Sequence, residues 1–291
     1  MSWAGMMNTI LNSGETALRL AAFAGVFLAM ALLELLIPKR DLDHAKGRRW
    51  LTNIAIGGID SLLLRLMAML AVPVAAVAAA IWAEARGWGL LNLVAWPGWL
   101  EMAIALAVLD LAIYGQHVAS HHVPALWRLH KVHHADVDID VTTAIRFHPV
   151  EIGLSMLWKI VVVLALGPSA ISVVLFEVLL NACAMFNHAN IALPGAVDRV
   201  LRLIVVTPDM HRVHHSIERR EHDRNFGFNL SVWDRLFGTY VAQPEKGHLG
   251  MTIGLKPYQS EQPTGLWWSL ALPFRAVADG TRKVQKALSG K

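Results

Sequence analysis

Cysteine is nearly absent from this chain: among 291 residues there is one, Cys183, which excludes an internal disulfide and any cysteine-held zinc or iron–sulfur site. Charge is scarce as well. Asp, Glu, Lys and Arg make up 16% of the residues and hydrophobic residues 55%, against roughly 25% charged in an ordinary soluble protein, so a membrane protein is expected. There is no GxGxxG, no CxxCH and no HExxH, which argues against a built-in dinucleotide site, an attached haem or a zinc metalloprotease. The net charge of +4 sits mostly in short basic segments beside apolar runs, and no basic stripe with interleaved aromatics points to nucleic acid.

Histidine, by contrast, is concentrated. Leu-His-Lys-Val-His-His at 129–134 and Met-His-Arg-Val-His-His at 210–215 each place histidines at i, i+3 and i+4. On a helix those positions share a face, so His130, His133 and His134, and likewise His211, His214 and His215, are expected to project towards a single point. With 14 histidines in 291 residues, HxxHH arises by accident only about 0.03 times in such a chain. Gln-His-Val-Ala-Ser-His-His at 116–122 adds His117 and His121 at i and i+4, while His122 points about 100° away. Burying eight neutral imidazoles without partners is costly, whereas His44 and His248 read as ordinary packed or surface residues.

Residues 17–37 form a first apolar span, ended by Pro38-Lys39-Arg40. The loop that follows carries Lys39, Arg40, Lys46, Arg48 and Arg49, which by the positive-inside rule places it in the cytoplasm. A second apolar stretch reaches Ala83, with its span expected over about 61–83; it holds Asp60, Arg65 and Pro73, and the two charges are expected to snorkel to the interface. Trp88, Trp96 and Trp99 suit an aromatic belt before a third span, about 100–117. Asp110, Tyr114, His117 and His121 lie on one stripe of that helix, with Asp110 two turns below His117 and expected to orient it. Runs 152–166 and 169–186, parted by Gly167-Pro168, read as an out-and-back hairpin that delivers His188 to the same face as the boxes, as a ninth ligand. His148, before Pro149, is expected to end a loop outside the ligand set. Thr207-Pro208 reads as the N-cap and first position of the second box helix. Residues 192–206 and 266–274 are expected to lie in the membrane interface. The organisation expected is an all-α integral membrane bundle of about four spans, one of them the hairpin, with a cytosolic histidine-box cap: an amino-terminal segment 1–16, a main domain 17–240 and a cytosolic or interfacial tail 241–291.

Eight or nine imidazoles exceed the four ligands of one tetrahedral zinc, so two metals are implied; imidazole alone does not choose among iron, copper, zinc and nickel. The ordered motifs do more. DxxxYxxHxxxH (Asp110–His121), LWxxHxxHH (Leu126–His134), RFHPxE (Arg146–Glu151), NHxN (Asn187–Asn190), TPxxHRxHH (Thr207–His215), NFG and WDRLFGTY (Asn225–Tyr240) together resemble the sterol desaturase and fatty acid hydroxylase superfamily over about residues 40–240. The resemblance implies an integral-membrane enzyme with two iron ions that uses dioxygen to hydroxylate or desaturate a lipid. It carries the metal-ligand role to His117, His121, His130, His133, His134, His211, His214 and His215, with His188 matching a less regular ligand. His222 and Asp223 fall where the match is loose and take no role. Electrons are expected from a separate donor, a ferredoxin, a cytochrome b5-like protein or a reductase, since the chain has no motif for a redox cofactor of its own. The competing reading, a membrane metal transporter or metal-binding protein, expects histidines and carboxylates in mid-span.

Overall fold

The computed structural model describes residues 13–70 and 75–275. Residues 1–12, 71–74 with Pro73, and 276–291, which include most of the amino-terminal segment and the end of the tail, lie outside the described residues. In chain order the main helices are α1 (Ser13–Leu36), α2 (Lys46–Leu70), α3 (Ala76–Glu84), α4 (Gly98–His122), α5 (Pro124–His134), α6 (Pro149–Leu166), α7 (Ala170–His188), α8 (Gly195–Leu201) and α9 (Pro208–His214). Five of them, α1, α2, α4, α6 and α7, are long and apolar enough to cross a bilayer, and the chain is a multi-pass membrane protein with an all-helical fold.

The expected hairpin is α6 and α7. Gly167 ends α6 at φ +68, a left-handed cap that favours glycine, and the Ser169 hydroxyl caps α7 by accepting from Ser172 N. Glu101, in the first turn of α4, accepts from Ser169 N at 2.9 Å and from Ser172 Oγ at 2.9 Å, which ties the hairpin tip to α4. The bundle core lies beside this tip: Ala76, Ala79 and Ala80 of α3 pack with Leu109, Ile113, Val163, Val173 and Phe176. Small residues on α3 let four backbones converge around a short helix.

The second apolar stretch folds differently from the expected 61–83 span. Its helix begins at Lys46 and ends at Leu70, and Ala76–Glu84 forms a separate, buried helix. The first turns of α2 are polar but internal, because the acidic run after the first histidine box folds onto them. Arg49 donates to Asp136 at 3.0 Å and also bonds Asp140, Trp50 Nε1 donates to Asp140 at 2.8 Å, and Asn53 Nδ2 donates to Asp136 at 3.0 Å. Paired charges make such burial tolerable. Asp60 likewise does not snorkel: it is 7% exposed and faces inward.

Residues 241–275, expected as a tail, pack into the cap. Gly254 N donates to His215 O at 3.0 Å, and Leu272 packs against Val132 and Ala135 beside α5. Outward-facing Val200, Leu203 and Ile204 around α8, and Trp267 and Phe274 near the end of the described chain, give both segments the apolar outer surface that an interfacial position requires.

Candidate metal centre

Four helical segments bring the histidines together: the end of α4, α5, the last residue of α7, and α9. Proline at the first position starts α5 and α9, where its missing N–H costs nothing. Thr207 caps α9 as expected, its hydroxyl accepting from Met210 N at 3.4 Å. His148 caps α6 and bonds Leu270 O at 3.2 Å, outside the histidine groups, also as expected.

All nine expected histidines converge, but on two centres instead of one point per box. His117, His121, His130, His134 and His214 form one group, and His133, His188, His211 and His215 the other, with the candidate ligand atoms of each group within 4.8 Å of one another. Helical geometry accounts for the division. Positions i and i+4 differ by about 40° around the axis, while i+3 lies about 60° to the other side. The pairs 117/121, 130/134 and 211/215 therefore stay together, while His133 and His214, the middle members of the two HxxHH boxes, cross to the opposite group.

The imidazoles present their lone pairs inward. In the first group His130 Nε2 and His134 Nε2 lie 3.2 Å apart, and Nε2 of His117, His121 and His214 is buried with no hydrogen-bond partner. In the second, His188 Nε2 is 3.1 Å from His133 Nε2 and 3.0 Å from His211 Nε2, while both ring nitrogens of His215 are buried and unpartnered. A metal held at about 2.1 Å from each imidazole nitrogen sets neighbouring nitrogens about 3 Å apart, so the donor set fits one ion in each group. Protonation is suppressed. Burial first, and the neighbouring imidazoles second, hold His133, His134, His211, His214 and His215 well below the usual histidine range, and burial pushes His130 down to about 3. Neutral imidazole is the metal-binding form.

Acceptors behind the rings fix their tautomers. His130 Nδ1 faces Glu151 Oε1 at 2.6 Å, His117 Nδ1 faces Phe226 O at 2.7 Å, His214 Nδ1 faces Arg224 O at 2.7 Å, His121 Nδ1 faces Asp223 Oδ1 at 3.3 Å and His188 Nδ1 faces Ala184 O at 2.7 Å. With Nδ1 donating, Nε2 is left as the ligand. Asp110 and Tyr114 do not orient His117 directly. Asp110 Oδ2 instead accepts from Leu230 N at 3.1 Å and Trp233 Nε1 at 2.8 Å, and the Tyr114 hydroxyl pairs with Thr239 Oγ1 at 2.9 Å. Both hold the 224–240 segment, whose Arg224 and Phe226 carbonyls do the orienting. There Asn225 adopts φ +52, its amide donating to Met210 O and Val241 O at 2.8 Å. Asp234 accepts from Phe226 N and Gly227 N at 2.8 Å, and a Cβ on Gly227 would lie 2.7 Å from Asp234 Oδ2. The NFG and WDRLFGTY motifs thus encode the scaffold behind His117 and His214.

Three further residues join the site. Glu151 is one, and the acidic position in RFHPxE was its signal. His222 and Asp223 are the others: they form a further group with His121, and the His222 ring lies 4.5 Å from that of His134. Burial pushes His222 down to about 4.

A cavity of about 630 Å³ opens beside the first group, reaching His117 and His130 and bounded by helices α1, α2, α4, α6 and α7. Phe147, Phe228, Ile113 and Ile152 line its metal end, and Phe147 stacks on His133 at 4.3 Å. The walls beyond are membrane helices.

A fatty acid hydroxylase family model matches residues 102–239, a range that contains all nine histidines and the 225–239 scaffold. The chain is 30% identical to alkylglycerol monooxygenase of Homo sapiens over 244 residues, 80% of this chain and 50% of that protein. It is 27% identical to the ornithine lipid hydroxylase OlsE of Rhizobium tropici over 199 residues, 67% of this chain and 55% of that protein, and 30% identical to alkylglycerol monooxygenase of Danio rerio over 229 residues, 78% and 48%. The chain spans about half the length of the curated relatives it matches. No solved structure matches it. Over the half of the chain that carries the histidines, it is thus similar to the fatty acid hydroxylase family and to lipid hydroxylases and monooxygenases.

Proposed function

We propose that this chain is a membrane-bound di-iron oxygenase that hydroxylates, or desaturates, an unactivated C–H bond of a lipid, with dioxygen as co-substrate and electrons from a separate donor such as a ferredoxin, a cytochrome b5-like protein or a reductase. The observation that carries this reading is the pairing of two converging imidazole groups with a cavity that runs from them into the membrane helices. His117, His121, His130, His134 and His214 would hold one iron and His133, His188, His211 and His215 the other. Bound there, the irons would activate dioxygen for C–H oxidation, chemistry that no amino-acid side chain supplies.

The protein's own residues do the rest. Glu151, Asp223 and the carbonyls of Phe226, Arg224 and Ala184 keep Nδ1 of His130, His121, His117, His214 and His188 protonated and their Nε2 aimed inward. Phe147 and Phe228 exclude water from the metal end of the cavity, and the apolar walls align a chain supplied by the bilayer. The histidine groups are assigned to the cytoplasmic face on the basic loop 39–49, where three of its cations also build the cap: Arg49 through Asp136, Lys39 through Asp209 at 2.8 Å, and Arg40 through Met251 O at 2.8 Å.

Iron content and Mössbauer spectra of membrane-extracted protein, reduced without oxygen and then exposed to it, test the proposal. About two irons per chain, oxidised by oxygen and diminished in His133→Ala, are expected. Zinc with no oxygen response would overturn the oxygenase reading in favour of metal binding or transport.

A further inference from the structure

The far end of the cavity is not lipid-like. Arg19 of α1, Lys159 of α6 and Glu177 of α7 all line it. Arg19 Nη1 donates to Glu177 Oε2 at 2.7 Å and Lys159 Nζ donates to Glu177 Oε1 at 2.9 Å, with the Lys159 and Glu177 side chains only 11% and 12% exposed. Ionisable groups within membrane helices are expensive, and their presence marks a functional path. Fastening three helices together would need no charge, since apolar packing serves as well.

The trio has donors to spare. An ammonium offers three N–H groups and a guanidinium five. Glu177 takes one from each, and Glu15 accepts another from Arg19 Nε at 2.9 Å. The opposite end of the cavity carries carboxyl groups and no cation: Glu151 stands behind His130, and Asp60 lines the wall, buried, with Oδ1 lacking any hydrogen-bond partner among the described residues. The spare N–H donors of Arg19 and Lys159, at one end only, give the cavity a direction.

Resting on the oxygenase reading for what happens at the metal end, we infer that the cavity binds a lipid bearing an acidic group, a carboxylate or phosphate ester, with that group on Arg19 and Lys159 and its alkyl chain pointing to His117 and His130. Glu151 and Lys159 are eight residues apart on α6, about 12 Å along the axis, and Glu177 and His188 eleven apart on α7, about 16 Å. The bond presented to the metals is therefore remote from the acidic group. In the reverse orientation the acidic group would meet no cation, since Arg19 and Lys159 are the only Arg or Lys side chains among the described residues that line the cavity.

The test is displacement of a fluorescent conjugated-polyene fatty alcohol, a probe with no acidic group, from the full chain in nanodiscs, by hexadecanoic acid and by hexadecanol. Charge-assisted hydrogen bonds predict that the acid competes at about tenfold lower concentration than the alcohol. Lys159→Met and Arg19→Met each reduce that preference, Lys159→Arg keeps it, and displacement by the alcohol stays unchanged as the check on folding. Equal competition by acid and alcohol in the wild type, which needs no variant, overturns the inference, as does a preference that survives in a folded Lys159→Met, Arg19→Met double variant. Binding requires no turnover, so His133→Ala protein shows the same preference; an acid preference without iron, or iron without an acid preference, separates failure of one reading from failure of the other.

Discussion

The two histidine groups are built from the same residue type and share helices α5 and α9, one adding α4 and the other α7, yet they are held differently. In the group of His117, His121, His130, His134 and His214, four of the five rings have an acceptor behind Nδ1. In the group of His133, His188, His211 and His215 only His188 has one, and Nδ1 of His133, His211 and His215 is buried without a partner. The first group is oriented by the protein before any ion arrives. The second is shaped by packing, with Phe147 flat against His133, and leaves more of its order to the ion itself. Preorganised ligands bind more tightly because less freedom is lost on binding.

Adjacent residues give the sharpest way to separate the groups. His134→Ala is expected to remove the ion of the first group and His133→Ala that of the second, each leaving about one iron per chain and abolishing turnover, as read by iron analysis and product formation. Loss of both irons from either variant would show the groups to be one cooperative unit. Glu151→Gln keeps the shape but removes the carboxyl group behind His130, and a drop of about 10- to 100-fold in iron affinity or activity is expected, measured by iron titration with turnover in parallel. A chelator should empty the second group first, so iron loss followed in time is biphasic; a single phase would erase the distinction. Asp223→Asn has a smaller effect, under about tenfold, because the carboxylate is 23% exposed and shared with Arg219.

The smallest effect is on pH. In iron-free protein His130 and His222 sit at about 3 and about 4, below the usual 6.5 of the unfolded chain. As pH falls below 6.5 the unfolded state takes up protons that the folded state refuses, so stability declines between pH 7 and 4. Thermal unfolding of the iron-free protein at pH 7 and pH 5 should show the lower midpoint at pH 5, and bound iron should reduce the difference.

The convergence of the nine histidines was legible because HxxHH is improbable by chance and because apolar runs of bilayer length frame the boxes. Their partition into two groups was also latent in the 3.6-residue period, but became visible only when the facing helices supplied second members. Glu151 and Asp223 were not legible as partners, since hydrogen bonds across 21 and 102 residues are products of packing. Asp110 shows the opposite failure: it shares a stripe with His117, yet its carboxylate turns to Trp233. The start of α2 at Lys46 was hidden for a similar reason, because Arg49 and Asn53 look like loop residues until Asp136 and Asp140 meet them.

Arg146 carries a temporal consequence. It is fully buried, donating to Val132 O on α5 at 2.9 Å and to Asn53 at 2.7 Å, and also to Pro263 O and Ser269 Oγ at 2.8 Å. A ribosome emits residues 130–134 long before residues 263–269, so for that interval the first histidine box exists without its closing strap, and a buried guanidinium short of acceptors is unfavourable. Assembly of the cap is therefore a late event in the life of the nascent chain, since Arg146 has its full set of acceptors only once residues 263–269 have emerged.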